Sequence, residues 1–398
     1  MSVGDSRGTV LIAVTHLLGS GHLVRAAHLA RALAENGFAV TLASGGMPLR
    51  AMADEPFAFV QLPPVKVEGV DFRDLLDADG RPIDEVRRVD RQALLAGLAT
   101  SLRPDVVITE HFPFGRRQLA GEFLGLIAAA KEANPRALVL SSIRDVLVTP
   151  RPDRIAQAEG RLAGLFDGVL VHGDRAFLPL EASWPVSPAL AERLRYTGYL
   201  AAPSLLRSAR NGGSGEVLVS GGGSGAALPL FELCLAAARL GDASRRWRIL
   251  AGRGLPESDF SALRQSASPN VTVERARPDF PELLAGCALS ISQAGYNTVL
   301  DLLEAGCRAI VVPFDEGAET EQGVRAEAME RAGLARCLRL SGPESASAVS
   351  FASAIAAAVE SGRPSPVAID RNGAGAVATL VGQLLAARGS APTPHSGS

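Results

Sequence analysis

The chain has almost no lysine. Of its 40 basic residues, only Lys66 and Lys131 are not arginine. A lysine-rich surface for nucleic acid is therefore excluded, and a net charge of −2 gives no other reason to expect one. Arginine instead suits planar, bidentate recognition of phosphate or carboxylate. Cysteine is scarce too. Cys234, Cys287, Cys307 and Cys337 lie far apart in apolar contexts, without a CxxC or Cys/His cluster. That spacing argues against a disulfide framework and structural zinc. Small core residues of a reduced, cytoplasmic protein are expected. No apolar run reaches the roughly 20 residues that span a bilayer. The N-terminus lacks a basic segment followed by an apolar stretch and cleavage site, so no signal peptide is expected. Peripheral contact with the inner face of a membrane stays open.

What is present is a long, apolar chain. At 398 residues, 47% hydrophobic and 21% charged, it can build two cored domains. Short apolar runs alternate with amphipathic stretches. Strands are predicted at 10–14, 39–43, 106–109, 138–141 and 169–171, with helices at 22–35, 83–102 and 117–133. Leu23, Ala26, Ala27, Ala30 and Leu33 share one face of the first helix. The segment 201–215 is rich in Gly, Ser and Pro, a linker composition. The alternation then restarts, with strands at 217–219, 248–250, 271–273, 289–292 and 309–312. Helices are predicted at 226–239, 280–284, 297–305, 322–331, 346–359 and 372–387. Strands alternating with helices predict an α/β fold of parallel sheets covered on both faces. The expected division is a first domain at 1–200, a linker at 201–215, a second domain at 216–388 and a disordered tail at 389–398.

Both halves open with strand, glycine loop and helix. In the first, Gly19-Ser20-Gly21-His22 allows close backbone approach by a ligand. His22 at the helix start, facing the cleft, suits a general base on a hydroxyl. A capping or packing role is the alternative. His16 is a second candidate, and His28 reads as structural. After the next long strand comes Thr109-Glu110-His111-Phe112-Pro113-Phe114-Gly115-Arg116-Arg117. Read as exposed, its two aromatics with Glu110, His111 and Arg116 can line an acceptor site. Arg144, in Ser142-Ile143-Arg144-Asp145, follows the next strand and joins them. The alternative is loop packing.

The second half offers Ser220-Gly221-Gly222-Gly223-Ser224-Gly225, a candidate anion cradle. It is neither a Walker loop nor a good dinucleotide fingerprint. Gln293-Ala294-Gly295-Tyr296-Asn297-Thr298 then turns from strand to helix. Asn297 and Thr298 can cap that helix, and Gly295 can bring amide N–H groups to a phosphate. Asp301, one turn further in, can accept hydrogen bonds from ribose hydroxyls. Glu319, Glu321 and Gln322 follow the next strand, where they can hold sugar hydroxyls; a solvated acidic loop is the alternative.

These motifs together resemble two-domain glycosyltransferases of the GT-B fold. The second half is similar to glycosyltransferase family 28, the MurG family. Gly295–Asp301 also resembles the Gly-Trp-Asn-Ser-x-x-Glu core of the plant glycosyltransferase box. Gly19–Ala26, Gly295–Thr298 and Glu321–Ala326 match the GxGHLxRA, GYNT and EQxxRA segments of a bacterial group of predicted glycosyltransferases. The resemblance implies two Rossmann-like domains facing a cleft. Gly21, Gly221, Gly222, Gly223, Ser224, Gly225, Gln293, Gly295 and Asn297 would surround a donor diphosphate. Asp301 would bind ribose, Glu321 and Gln322 the donor sugar. The loop of Arg275 and Arg277 would hold the base through backbone contacts. His22 would lie at the reacting centre. Two positions depart from the pattern: Gln293 stands where plant enzymes carry a histidine, and Asp301 where family members carry glutamate.

The expected function is transfer of a hexose or N-acetylhexosamine from a UDP-linked sugar to an acceptor hydroxyl. Inversion is expected, with no metal and no cofactor. A nucleotide-sugar hydrolase is the nearest alternative, since the first glycine loop with Arg25 also resembles a UDP-releasing hydrolase. A non-catalytic sugar-nucleotide-binding subunit is another. An NAD-dependent dehydrogenase is disfavoured, because no acidic residue lies about 20 residues beyond the first loop. The partners expected are the donor and an acceptor of unknown identity. No nucleic acid or obligate protein partner is indicated.

Overall fold

The computed structural model describes residues 6–17, 20–49, 54–67, 74–200, 215–223, 225–314, 320–345 and 347–389. Gly19, Ser224, Glu319, nearly all of the expected linker and the expected tail beyond Gly389 lie outside them.

The first domain is a seven-stranded parallel sheet wrapped by helices. Its central strand, β1 (Thr9–Val14), is an unbroken apolar run, as a strand covered on both faces requires. There follow α1 (Gly21–Glu35), β2 (Ala39–Ser44), β3 (Ala58–Gln61), α2 (Glu85–Leu102), β4 (Val106–Glu110) and α3 (Ala120–Ala133). Then come β5 (Leu138–Arg144), α4 (Pro152–Leu165), β6 (Gly168–His172), α5 (Pro188–Ala191) and β7 (Leu194–Tyr196). The order is β3-β2-β1-β4-β5-β6-β7. Leu23, Ala26, Ala27, Ala30 and Leu33 of α1 are all buried on this sheet.

The second domain repeats the plan. Its elements are β8 (Val217–Ser220), α6 (Leu228–Leu240), β9 (Trp247–Ala251), α7 (Glu257–Gln265), β10 (Val271–Arg275) and α8 (Phe280–Gly286). They continue with β11 (Leu289–Ser292), α9 (Tyr296–Ala305), β12 (Ala309–Val311), α10 (Glu321–Arg331), β13 (Arg336–Cys337) and α11 (Ala348–Glu360). The order β10-β9-β8-β11-β12-β13 is that of a dinucleotide-binding sheet. In each sheet the winding reverses between two central strands, β1/β4 and β8/β11. Such reversals open a crevice at the carboxyl ends of the strands, which is where ligands bind.

One domain boundary differs from the expectation. The last helix, α12 (Gly373–Gly389), leaves the second domain. Val377, Ala378 and Val381 pack with Leu23, Ala26 and Leu33 in the core of the first. The second domain thus ends with α11, near residue 360, and α12 closes the first.

Beside the crevice the domains are joined by buried contacts. Val146 and Leu178 pack against Ala328. The Tyr296 hydroxyl donates to the His172 carbonyl, 3.0 Å away. The four cysteines carry no disulfide, and three are buried. No helix among the described residues is long and apolar enough to cross a membrane.

Candidate functional site

Both winding reversals open onto one cavity of about 970 Å³. That is at the large end of small-molecule sites and has room for an extended ligand. Ser20, Gly21, His22 and Arg25 line it from the first domain, with His111 and Arg116. Gly221, Gly222, Gly223, Gln293, Gly295, Tyr296, Asn297, Glu321 and Gln322 line it from the second.

Two helix starts face this cavity. At α1 the cap is Ser20, which makes no side-chain capping bond, and the first turn holds no acid. At α9 the cap is Gly295, again without a side-chain bond or an acid in the first turn. Asn297 and Thr298 therefore do not cap α9, contrary to expectation: they fall inside the helix, and both face the cavity. Uncapped N–H groups at a helix start attract an anion.

The glycine loop after β8 is shaped by contact. Gly222 has a φ of +67°, which favours glycine. A Cβ on Gly221 would collide with Ala227, and a Cβ on Gly252 with the Gly222 carbonyl. The loop after β9 thus lies directly under the cradle. Arg275 braces that loop, donating to the carbonyls of Gly252 (3.0 Å) and Leu255 (2.9 Å). Its guanidinium also covers the Phe260 ring. Arg277 is held by Asp279 and Glu274. Neither side chain lines the cavity. Gly225 and Asp301 do not line it either. Asp301 is half-buried on α9, where burial pushes its carboxyl up to about 6.

At the first winding reversal, α1 and the end of β4 bring His22 and Glu110 together. His22 Nδ1 lies 3.0 Å from Glu110 Oε1. A carboxylate only accepts, which places the proton on Nδ1 and leaves the Nε2 lone pair for another partner; Arg25 Nη2, 3.1 Å from the same Nδ1, can only donate, but it is engaged by the Glu110 carboxylate. Glu110 is itself fixed from two sides. Arg25 is ion-paired to it. The Ser142 hydroxyl donates to Oε2 at 2.6 Å. Ser142, whose proton goes to Glu110, accepts from His172 Nε2 at 3.0 Å, and the Thr197 hydroxyl lies 2.9 Å from His172 Nδ1. The one proton of Thr197 also has the Gly198 and Val171 carbonyls within reach, at 2.9 and 3.3 Å, so the chain fixes the positions of these side chains around Glu110.

Charge states support that arrangement. Burial, then Arg116, Arg144 and Arg25, hold His22 well below its usual range, so it is neutral near pH 7. Burial raises the Glu110 carboxyl, but Arg25 and the Ser142 hydrogen bond outweigh it and keep Glu110 ionised. Burial first, then Arg25, takes His172 down to about 3.

Glu110 was expected at the acceptor wall and is instead 1% exposed behind His22. Phe112 and Phe114, read as exposed, are 0% and 4% exposed. Phe112 stacks on Phe123 and Phe114 meets Trp184 edge-on, because the loop after β4 turns its aromatics into the core. What that loop does present is His111 and Arg116, both with positive φ (67° and 58°). Such backbone costs of order 1–3 kcal/mol per residue and clusters at functional sites. His16 is buried and does not line the cavity.

Glu321 is committed across the cleft. It pairs with Arg144 of the first domain and lies 3.5 Å from Arg325 of its own helix. Gln322 Oε1 accepts from the N–H groups of Ala294 and Phe314, both at 3.1 Å. Sequence reasoning missed His172 and Thr197, and had Ser142 only as part of the segment 142–145, without its role behind Glu110. Ser142 and His172 lie in or at the ends of apolar strands that run toward the site, and that position was the available signal.

Comparison with known proteins agrees with this architecture. Residues 216–361 match the glycosyltransferase family 28 C-terminal domain. UDP-N-acetylglucosamine–N-acetylmuramyl-(pentapeptide) pyrophosphoryl-undecaprenol N-acetylglucosamine transferase of Paramagnetospirillum magneticum is 32% identical over 158 residues, 37% of this chain and 42% of that protein. The protein of the same name from Xanthomonas axonopodis pv. citri is 25% identical over 324 residues, 80% of this chain and 68% of its own length. The chain thus spans less than half the length of the first curated relatives it matches, at 42% and 35%. Among solved structures, MurG of Acinetobacter baumannii superposes with a TM-score of 0.59 at 17% identity, covering 95% of this chain and 99% of that one. The calicheamicin glycosyltransferase CalG4 gives 0.56 at 16% identity, covering 96% and 95%. The second domain of this chain is accordingly of the glycosyltransferase family 28 C-terminal type, carried in a molecule of GT-B fold.

Proposed function

We propose that the protein moves a hexose or N-acetylhexosamine from a UDP-linked sugar to an acceptor hydroxyl, inverting the anomeric carbon without a metal. The observation that carries this reading is one cavity flanked by two uncapped helix starts on opposing domains, with a carboxylate-oriented neutral histidine beside it. The donor diphosphate is assigned to the N–H groups of Gly221–Gly223 and the start of α9. The base is assigned to the backbone of the loop after β10, since the side chains of Arg275 and Arg277 are engaged elsewhere. That the Paramagnetospirillum magneticum relative is named for a UDP-N-acetylglucosamine donor supports the choice of nucleotide.

In this mechanism the acceptor hydroxyl gives its proton to His22 Nε2. Its oxygen bonds to the anomeric carbon as the bond from that carbon to the diphosphate oxygen breaks. The Nδ1 proton stays with His22, and Glu110 stabilises the imidazolium that forms. The backbone N–H groups take up the charge developing on the departing diphosphate.

The test begins with thermal stability against UDP, TDP, GDP, ADP and NAD. A ligand at a hundredfold excess over its Kd adds about 2.7 kcal/mol. Selective stabilisation by UDP is expected, followed by turnover of a UDP-sugar in an acceptor screen. His22→Ala is expected to keep UDP binding and to lose about 10²–10⁴ in kcat. Unchanged turnover in that variant would remove His22 from the mechanism. Stabilisation by NAD alone would sink the reading.

A further inference from the structure

Beside the base candidate lies a second imidazole that the mechanism so far does not use. His111 directly follows β4, lines the cavity and meets His22 edge-on, with ring centroids 5.3 Å apart and planes at 63°. Its backbone sits at a φ of 67°, a region uncommon for residues other than glycine. Both ends of the turn are tied. The His111 N–H donates to the Ser142 carbonyl at 2.8 Å, and the His111 carbonyl accepts from the Gly115 N–H at 2.7 Å. A Cβ on Gly115 would come within 2.2 Å of Cδ2 and 2.5 Å of Nε2 of the His111 ring. Glycine is therefore required where the ring folds back over its own loop. The turn is built to hold one imidazole against another.

The two nitrogens of His111 have different surroundings. Nδ1 is buried without a hydrogen-bond partner among the described residues. Nε2 lies over Gly115, which itself lines the cavity. Burial first, then Arg116, hold the ring well below its usual range, so it is neutral and carries one N–H. A proton on Nδ1 would strand a buried donor, which folded proteins rarely tolerate. A proton on Nε2 strands only a lone pair, and it is the tautomer that free histidine favours. His111 thus offers a donor to the cavity. His22, with Nδ1 held by Glu110, offers an acceptor beside it. Two hydrogen bonds of about 2.8 Å to one oxygen span nitrogens up to about 5.6 Å apart. The separation of the two rings is of that size.

Resting on the glycosyl-transfer reading, we propose that His22 and His111 form a seat for one hydroxyl: the acceptor O–H donates to His22 Nε2 while a lone pair of the same oxygen accepts from the Nε2–H of His111. The second lone pair of that oxygen is then the one that attacks the anomeric carbon. The hydrogen bond from His111 stays in place as the proton passes to His22, so no further proton moves. The seat is selective by chemistry. An ammonium has no lone pair for His111, and a carboxylate has no proton for His22. A hydroxyl or a water satisfies both.

Nitrogen-15 labelling confined to histidine reads the tautomers directly in the full chain, which has only six histidines. Loss of a signal in His111→Gln and in His22→Ala assigns the two rings. Long-range proton–nitrogen spectra are expected to show Nε2–H for His111 and Nδ1–H for His22. Nδ1–H at His111 would overturn the proposal. UDP release from UDP-glucose and UDP-N-acetylglucosamine is then followed with water, and with glycerol, as the hydroxyl. Gln and Met have nearly the same shape and backbone preference, but only Gln carries a donor near the place of Nε2. His111→Gln is expected within about threefold of wild type and His111→Met about tenfold slower, both with unchanged affinity for UDP. Equal rates in the two variants, with melting curves like wild type, would overturn the seat. So would a loss of UDP affinity in both, since His111 would then belong to the donor site. If the wild type neither binds UDP nor releases it while both tautomers are as expected, the glycosyl-transfer reading falls and the hydroxyl seat stands.

Discussion

At the scale of single residues, the chemistry turns on one carboxylate. Glu110 orients the base candidate His22, accepts from Ser142 and neutralises Arg25. Glu110→Gln keeps the shape and an acceptor oxygen but removes the charge. It should lower kcat by about 10²–10⁴, because the imidazolium loses its counter-charge. It also strands the Arg25 guanidinium, so equilibrium denaturation should show a loss of about 3–5 kcal/mol. A variant that is destabilised but fully active would limit Glu110 to a structural part. The pH profile tests the same pair. Because the folded-state pKa of His22 is depressed well below 6.5, the base form persists as pH falls through that value. On this account kcat/KM stays flat from pH 8 to 6.5, and its acid limb appears only below. An acid limb centred at or above 6.5 would mean that another group titrates. His22 was legible from its place after a glycine loop. The role of Glu110 was not, because burial and pairing with Arg25 join positions 85 residues apart. Phe112 and Phe114 misled for a related reason: a loop that carries Glu, His and two Arg reads as exposed, whichever way its aromatics turn.

At the scale of elements, the site is made by loops that approach one another closely. Gly252 is the sharpest instance. It lies in the loop after β9 rather than in the cradle, yet a Cβ there would meet the Gly222 carbonyl and the Gly223 backbone. Backbone cannot swing aside as a long side chain can, so Gly252→Ala must move the cradle. The expected result is a loss of about 1–3 kcal/mol in stability. On the proposed function, affinity for UDP should fall as well, because the N–H groups assigned to the diphosphate are displaced. Gly223→Ala, which meets nothing nearby, is the control and should fold normally. Equal UDP affinity in Gly252→Ala and wild type would show that the cradle does not hold the nucleotide. Most elements were legible because buried strands are continuous apolar runs: β11 is found over the same residues, 289–292. The unforeseen elements are short, half-exposed or strongly charged. β3 is a partly exposed edge of four residues, β7 and β13 are shorter still, and α4 and α7 alternate charges with a narrow apolar stripe.

At the scale of the whole molecule, the aperture of the cleft is set by a buried ionic joint. Asp145 of the first domain accepts from Arg325 of the second at 3.0–3.1 Å, and the Tyr199 hydroxyl donates to it at 3.1 Å. Arg325 also reaches the Ala294 carbonyl, in the turn that precedes α9. The joint therefore links the first domain directly to the helix start assigned to the diphosphate. Burial opposes the charge on Arg325, but Asp145 and Glu321 outweigh it and raise its pKa. No sequence pattern announces this pairing, just as nothing in the apolar stretch of α12 tells which domain it closes. Both depend on how two separately folded units meet. Asp145→Asn leaves a buried guanidinium short of its partner and should cost about 3–5 kcal/mol in equilibrium denaturation. Replacing both groups, Asp145→Leu with Arg325→Met, should recover most of that loss, since a buried ion pair and an apolar pair of similar volume are nearly equal in stability. UDP affinity should not recover with it, because the tie to Ala294 is gone. Recovery of stability and affinity together would show that apolar contact alone holds the cleft in register. A loss of stability that the double variant does not repair would show that the ion pair itself supplies it.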